Sequence, residues 1–304
     1  MGEKRLKFGV FLYHPEPAEG FDLNFYRIKP ESGTVGKPTS NMYTNIACFG
    51  DNQTAERHPE WIAVSKDGPA NRFNKKYNFR WDILCMTNPE FVEETLNFID
   101  ENARVSPGIS LSSMHFADYG FCVCPRCMEL WRRSGLDWIE WRARTVTAFV
   151  KEARRRVGIK PLFINILPDP VLGKERFGYD YDELAKYADF FVVPLFSRSY
   201  ATPWYFETLA RAFKRILKKP VFVNLYVFGP GETPETVPTV KQLLTVSCRV
   251  ERAGVDGIIY LAENAQKIRD FQRATVQSKD VLEDLEGYGG EEVLKRIEKW
   301  ASLF

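Results

Sequence analysis

Short apolar runs rich in valine, isoleucine and phenylalanine recur along the chain, and most are followed by turn residues and then by an amphipathic helical pattern. The runs are continuous rather than alternating, which is typical of parallel strands buried on both faces. The pattern predicts strands at Phe8–Tyr13, Thr44–Phe49, Trp81–Cys85, Gly108–Ser112, Pro161–Leu167, Phe190–Phe196, Pro220–Val227 and Gly257–Leu261.

Helical patterns separate most of these strands. Asn88 before Pro89 has the composition of a helix start, with asparagine as the N-cap and proline in the first turn. Gly158 and Gly254 lie where helix C-caps are expected. The predicted helices are Pro89–Ala103, Met128–Val157, Tyr181–Tyr187, Trp204–Leu217, Val240–Ala253 and a long pattern from Ala265 towards Leu285.

Strands that alternate with helices in this way predict an α/β protein with a (β/α)8 TIM-barrel fold, which usually needs about 250 residues. We expect one domain over residues 1–304, with a long loop insertion after the first two strands and a closing C-terminal helix over residues 291–304. Between His14 and Thr44 the pattern predicts a long loop. A doubly wound open sheet is the alternative, and it is disfavoured because no glycine-rich dinucleotide loop follows a predicted strand.

Composition narrows the class of protein. Acidic and basic residues nearly balance at net charge +2, which argues against a nucleic-acid-binding surface. No stretch approaches the roughly 20 apolar residues of a membrane span. The N-terminus lacks the apolar core of a signal peptide, so a cytoplasmic protein is expected.

Carboxylates, amides and aromatic residues gather where the predicted strands end, the edge at which barrels place reactive groups. Paired carboxylates with aromatic platforms nearby are what glycoside chemistry needs. Asp118 and Glu263 are the leading pair for the acid and the base or nucleophile. Asp169 and Glu232 are further candidates, although Asp169 lies between two prolines, as a turn residue would.

The side chains predicted to bind the substrate share aromatic, amide or cationic character, and Arg198 would suit a substrate carboxylate. Aromatic residues also commonly anchor cores, so packing is the alternative for each ring. The predicted set is His14, Trp61, His115, Tyr119, Asn165, Arg198, Asn224 and Tyr226.

Other kinds of catalytic site fit less well. The chain has three histidines and no H-E-x-x-H motif, which disfavours a histidine-rich catalytic zinc, and it lacks a G-x-S-x-G elbow. The sequence therefore predicts a glycoside hydrolase that acts on a carbohydrate without an organic cofactor. The alternative is a carbohydrate-binding barrel that performs no catalysis.

Three motifs in a fixed order carry a resemblance to a known group. They are H-P-E-W at residues 58–61, C-M-T-N-P at 85–89, and D-Y-G-F-C-V-C-P-R-C at 118–127. This order resembles a largely uncharacterised family of TIM-barrel proteins similar to glycoside hydrolases. The resemblance implies a carbohydrate-active fold with Asp118 at the position of a reactive fourth-strand acid. The chain reads S-S-M-H-F-A-D there instead of a compact L-D-x-x-R, so Asp118 lies further along than in that pattern.

A cysteine cluster follows Asp118. Cys122, Cys124 and Cys127 can supply three thiolates to a tetrahedral zinc, and Cys85 is the favoured fourth ligand because its predicted strand neighbours the fourth. A disulfide within the cluster and free thiols are the alternatives. A closed thiolate site would be structural, and we expect it to order the loop that carries Asp118.

Overall fold

The computed structural model describes residues 5–285 and 289–304. The strands of the described chain are β1 Lys7–Leu12, β2 Leu23–Lys29, β3 Tyr43–Ala47, β4 Val64–Ser65, β5 Gly68–Pro69, β6 Ile109–Ser112, β7 Leu162–Asn165, β8 Phe190–Pro194, β9 Val221–Phe228 and β10 Gly257–Ala262. Eight of them form a closed parallel barrel in the order β1, β2, β3, β6, β7, β8, β9 and β10, and β4 and β5 form a separate hairpin. The predicted barrel fold is confirmed.

Helices follow the barrel strands from β3 onward, in the alternation that the sequence predicts. They are α1 Asn52–Arg57, α2 Pro89–Val105, α3 Pro125–Ser134, α4 Trp138–Val157, α5 Gly173–Phe177, α6 Tyr181–Leu184, α7 Pro203–Ile216, α8 Val240–Arg252, α9 Ala265–Gln277, α10 Lys279–Leu285 and α11 Glu291–Ala301. Among the described residues, no helix has the length and apolarity needed to cross a membrane.

The chain divides into two compact units. The first comprises Met1–Arg27, Asn41–Tyr43 and Phe190–Phe304, and the second comprises Ile28–Ser40 and Thr44–Asp189. In the first unit, β10 is buried along its whole length between β1 and β9. In the second unit, β3 pairs with β6 and β6 pairs with β7, and their apolar residues form the core of that unit.

One predicted strand is wrong. Within the described residues, Trp81–Cys85 forms only isolated antiparallel bridges, between Ile83 and Gly50 and between Leu84 and Ile62. The second barrel strand is instead β2, in the segment for which the sequence predicts a long loop. The predicted insertion does follow Thr44–Phe49, but that strand is the third of the barrel.

The predicted helix ends are partly right. Asn88 caps α2 by accepting hydrogen bonds from the backbone N–H groups of Glu90 and Phe91. The single helix predicted over Met128–Val157 is wrong because Gly135 ends α3 in the left-handed conformation and Asp137 caps a new helix, α4. The long pattern from Ala265 is likewise divided, between α9 and α10.

Candidate functional site

The loop after β9 holds the Glu232 carboxylate in the first unit. Its Oε1 accepts hydrogen bonds from the Tyr226 hydroxyl at 2.9 Å and from the Arg198 guanidinium at 2.7 Å, and its Oε2 accepts one from Thr236. The side chain is 11% exposed. The bonds from Thr236 and Tyr226, with the charge of Arg198, lower the pKa of Glu232. Three predicted site residues are thus together, and the carboxylate is held as an anion.

Tyr226 is fixed in turn by its neighbours. Its backbone N–H donates to the hydroxyl of the buried Tyr200 at 2.6 Å. A Cβ at Gly229 would lie 2.3 Å from the Tyr226 hydroxyl, so only glycine fits beside it. Burial and the adjacent Glu232 raise the pKa of Tyr226 to about 12, so the phenol stays protonated and donates.

Glu263 follows β10 directly. Because β10 pairs with β9, with Leu261 opposite Tyr226, the loops of Glu263 and Glu232 leave adjacent strands. Glu263 is half-buried, and no described residue gives its carboxylate a hydrogen bond or an ion pair. Its backbone carbonyl accepts from the Tyr13 N–H at 3.0 Å.

Two other predicted residues lie in the first unit, one on a strand and one beyond a strand end. Asn224 is buried on β9, and its Oδ1 has no hydrogen-bond partner among the described residues. His14 is exposed beyond the end of β1.

Asp118 is held by an arginine in the second unit. Arg176 binds its Oδ2 through Nε at 3.1 Å and Nη2 at 2.5 Å, and binds Asp169 through Nη1 at 2.7 Å. Asp169 also accepts from the N–H groups of Val171 and Leu172. Burial opposes ionisation of Asp169, but these bonds outweigh it and lower its pKa. Arg176 thus links two of the predicted catalytic carboxylates.

His115 and Tyr119 flank Asp118 in sequence. The His115 Nδ1 lies 2.7 Å from the carbonyl oxygen of Phe116, which can only accept, so Nδ1 carries the proton. Burial lowers the pKa of His115, so the ring is neutral and its Nε2 is an acceptor. Tyr119 is 62% exposed, and its ring centroid lies 5.0 Å from that of Tyr77.

Two predicted sugar contacts are engaged in packing. Trp61 is 9% exposed and stacks with His58, with ring centroids 4.0 Å apart. Asn165 donates through Nδ2 to the Ser110 hydroxyl and the Leu111 carbonyl, both at 2.8 Å, and so ties β7 to β6.

Sequence reasoning missed Glu31. It follows β2 and accepts a hydrogen bond from the Ser113 hydroxyl at 3.0 Å, next to the Asp118 loop in sequence. Because β2 was not among the predicted strands, its strand-end carboxylate was not considered. The apolar residues Leu23, Phe25 and Ile28, interrupted by Asn24 and Arg27, are the weak strand signal that this segment carries.

Four cysteines meet in the second unit. The sulfur atoms of Cys85, Cys122, Cys124 and Cys127 lie within 4.8 Å of one another and could bind a metal ion. The Cys85 sulfur is 3.8 Å from that of Cys124 and 3.5 Å from that of Cys127. Two backbone N–H groups point at the cluster, from Val64 to Cys122 at 3.3 Å and from Cys127 to Cys124 at 3.4 Å.

Hydrogen bonds among the sulfur atoms shift the pKa values of these thiols in opposite directions. The bond from Cys122 is the main cause that lowers the pKa of Cys124, whereas the bond with Cys124 is the main cause that raises the pKa of Cys122, and bonds with the other three sulfurs raise the pKa of Cys127. Four thiolates at this distance repel one another, so the four thiols cannot all be ionised at once unless a cation neutralises their charge.

Comparison with known proteins adds two findings. The model of a family described as Domain of unknown function (DUF4838) matches residues 12–155, just under half of the chain. No curated protein sequence matches the chain.

Solved structures of glycoside hydrolases resemble the fold. The α-L-fucosidase isoenzyme 2 from Paenibacillus thiaminolyticus matches with a TM-score of 0.62 and 13% identity, over 90% of this chain and 49% of that one. A β-galactosidase from the psychrophilic Marinomonas ef1 matches with a TM-score of 0.60 and 10% identity, over 93% and 60%. A GH42 β-galactosidase from G. stearothermophilus matches with a TM-score of 0.56 and 13% identity, over 95% of this chain and 58% of that one.

This chain therefore spans about half to three fifths of the length of those enzymes. At such identities the likeness shows the barrel fold alone, the fold of glycoside hydrolases.

Proposed function

We propose that the chain is a glycoside hydrolase whose reactive carboxylates lie at the carboxyl ends of β9 and β10. The observation that carries the proposal is the Glu232 carboxylate, held between Tyr226, Arg198 and Thr236 in a barrel. Such a carboxylate is ready to attack an anomeric carbon or to activate a water molecule, because its hydrogen bonds stabilise the anion.

Glu263 supplies the second group that the reaction needs. It gives a proton to the departing oxygen as the glycosidic C–O bond breaks, while Glu232 stabilises or bonds to the anomeric carbon. Overall one water is consumed: its hydroxyl goes to the anomeric carbon and its remaining proton replaces the one that Glu263 gave. Asp118, the other predicted partner of Glu263, remains a proposed catalytic group.

A panel of aryl glycosides that differ in sugar and anomer tests the proposal. Glu232→Gln and Glu263→Gln should each lower kcat/KM by about 10²–10⁴-fold, since each removes one acid–base or nucleophilic group. Glu235→Gln is the matched control, because Glu235 lies on the same loop and is exposed. Unchanged turnover in Glu232→Gln would refute the assignment.

The pH profile gives a second readout. Activity requires ionised Glu232, so it should persist as the pH falls to the ordinary glutamate value of 4.5 and be lost only as the pH passes through the lowered pKa of this group. If activity is instead lost at a pH well above 4.5, the loss would come from the titration of another group.

The competing proposal is a carbohydrate-binding barrel without turnover. It is favoured by the arginine that pairs with each of these candidate carboxylates, since Arg176 binds Asp118 and Asp169 and Arg198 binds Glu232. Binding of sugar by both wild type and Asp118→Asn, with no hydrolysis by either, would support it. The remaining predicted sugar contacts, including His14, Tyr119 and Asn224, belong to both proposals.

We also propose that the four thiolates hold zinc. A tetrahedral zinc with Zn–S bonds of about 2.3 Å requires sulfur atoms about 3.8 Å apart, which the cluster approaches. A disulfide would require sulfurs about 2.0 Å apart, and these cysteines are unbonded. Four thiolates leave no open position for a substrate, so the metal would have a structural role.

Elemental analysis of protein purified without added metal tests this assignment. About one zinc per chain is expected for wild type and for Cys248→Ala, whose cysteine lies on α8 and is not one of the four cluster members. Cys85→Ser should lose the zinc, and a chelator should lower the stability of wild type but not of this variant. Iron in place of zinc, or thiols that titrate free, would contradict the proposal.

A further inference from the structure

Three large aromatic side chains are exposed on one stretch of the first unit. They lie on the loop after β8 and on the first turn of α7, where Phe196 is 47% exposed, Trp204 60% and Tyr205 48%. The core does not need these rings, because α7 packs through Phe206, Ala210 and Phe213. Solvent-exposed aromatic groups in a cluster mark an interaction site.

This surface, defined by Phe196, Trp204 and Tyr205, connects to Glu232 through packed rings. The ring centroids of Trp204 and Tyr205 lie 6.2 Å apart, those of Tyr205 and Phe206 5.8 Å, and those of Phe206 and Tyr200 5.0 Å. The Tyr200 hydroxyl accepts from the Tyr226 N–H, and the Tyr226 hydroxyl donates to Glu232.

A second connection between the aromatic surface and Glu232 has fewer steps. The Phe196 ring contacts the Tyr226 ring directly, with ring centroids 5.8 Å apart. In a (β/α)8 barrel the helix that follows a strand begins on the side where the strands end, so the first turn of α7 faces the same way as the loop of Glu232. The aromatic surface and the carboxylate therefore belong to one region of the first unit.

The chemistry of the surface selects the ligand. Its charged side chains, Arg198 and Glu232, neutralise each other, so it favours a neutral ligand over an acidic one. Residues 197–203, S-R-S-Y-A-T-P, contain no leucine, isoleucine, valine or methionine, and four of the seven carry hydroxyl groups that can bond to a polar ligand. Exposed ring faces beside hydrogen-bonding groups match the C–H faces and hydroxyls of sugars.

We propose that this surface binds a neutral oligosaccharide, with successive sugar rings stacked on Trp204 and Tyr205 and one residue at Glu232. The inference rests on the proposed function and names its substrate class: a chain of neutral sugars rather than a single sugar or an acidic one.

Calorimetric titration tests the proposal. The protein is titrated with neutral gluco-, galacto-, manno- and xylo-oligosaccharides of increasing length, and their affinities are measured. Wild type should bind longer members more tightly. Trp204→Ala and Tyr205→Ala should each weaken that binding about tenfold or more, since each removes a large contact face. Phe304→Ala is the control, because Phe304 is 48% exposed but lies at the C-terminus.

The outcomes separate this inference from the proposed function. Oligosaccharide binding that depends on Trp204, without hydrolysis of any aryl glycoside, would keep the surface and reject the hydrolase. Hydrolysis of an aryl glycoside, with an oligosaccharide affinity that does not change in Trp204→Ala, would keep the hydrolase and reject the surface. Binding of none of the oligosaccharides, or loss of a dimer in Trp204→Ala during size-exclusion chromatography, would overturn the inference. Trp204→Phe, which keeps a ring, should restore part of the affinity.

Discussion

At the scale of single residues, the position of Asp118 depends on a buried arginine. Arg142 is 1% exposed on α4 and donates to the backbone carbonyls of Ala117, Glu175 and Arg176. It thereby joins the residue before Asp118 to the segment that carries Arg176. Burial lowers the pKa of Arg142 to about 10, so the guanidinium remains charged at neutral pH.

Replacing Arg142 by methionine should destabilise the protein strongly. The substitution keeps an apolar side chain of similar length but leaves buried carbonyls without a donor, each costing about 1–3 kcal/mol. We expect Arg142→Met to lower the free energy of unfolding by about 3–5 kcal/mol in urea titrations. Arg144→Met, on the exposed side of the same helix, should change it by less than about 0.5 kcal/mol. Equal effects of the two substitutions would refute this role for Arg142.

Residue chemistry could be predicted where it is local in sequence. The C-x-C-x-x-C spacing predicts a thiolate cluster, and Cys85 was predicted as the fourth member on an incorrect basis: it lies in the insertion, not on a barrel strand. Arg176 and Arg142 could not be predicted as partners of the Asp118 loop. Their contacts span 58 and 25 residues, and no periodic pattern encodes such distances.

At the scale of elements, α11 is fixed to the loop between β1 and β2. Arg296 is buried and binds the Asp22 carboxylate and the Gly20 carbonyl, and Trp300 donates to the same carbonyl at 3.1 Å. Gly20 has φ of +82°, and a Cβ there would lie 2.8 Å from the Trp300 ring. The amphipathic C-terminal pattern thus forms a helix whose packing needs a particular glycine.

Asp22→Asn should reveal a pH-dependent contribution of this helix. Burial raises the pKa of Asp22, but bonds from Arg296 and the Phe8 N–H outweigh it and lower the pKa. When folding lowers the pKa of a carboxyl group, the ionised group stabilises the folded protein at pH values above its unfolded-state pKa of about 3.9. That stabilisation is lost as the pH falls through the folded-state pKa. The free energy of unfolding of wild type should exceed that of Asp22→Asn by about 1 kcal/mol at neutral pH, because the ion pair is partly exposed to solvent. The difference should disappear as the pH falls through the lowered folded-state pKa of Asp22.

Urea titrations at a series of pH values measure that difference. Asp270→Asn, at an exposed position on α9, should not differ from wild type at any pH. A difference for Asp22→Asn that stays constant down to acid pH would show that the ion pair is not its cause.

Continuous apolar runs determine which strands the sequence predicts. Seven of the eight barrel strands match predicted runs because each is a continuous apolar segment. The missed strand, β2, places polar Asn24 and Arg27 among its apolar residues and is flanked by proline and glycine, so it lacks that signal. Trp81–Cys85 has the apolar character of a strand because Ile83 and Leu84 are buried in the insertion.

At the scale of the whole molecule, the division into two units does not follow the secondary structure. The boundary between Arg27 and Ile28 falls inside β2, and the eight strands form one closed sheet. Separate domains are normally joined by exposed linkers that few contacts cross, rather than by a continuous strand. We therefore propose that the chain folds as the single barrel domain that its sequence predicts.

Scanning calorimetry of substitutions in each unit tests that proposal. A single domain should melt in one transition with equal calorimetric and van't Hoff enthalpies. Asp22→Asn lies in the first unit and Arg142→Met in the second, so each should shift the whole transition to lower temperature. If the units were independent domains, two transitions would appear and each substitution would move only one of them. Because a strand shared by both units cannot remain paired when either unit unfolds, we expect the single shifted transition.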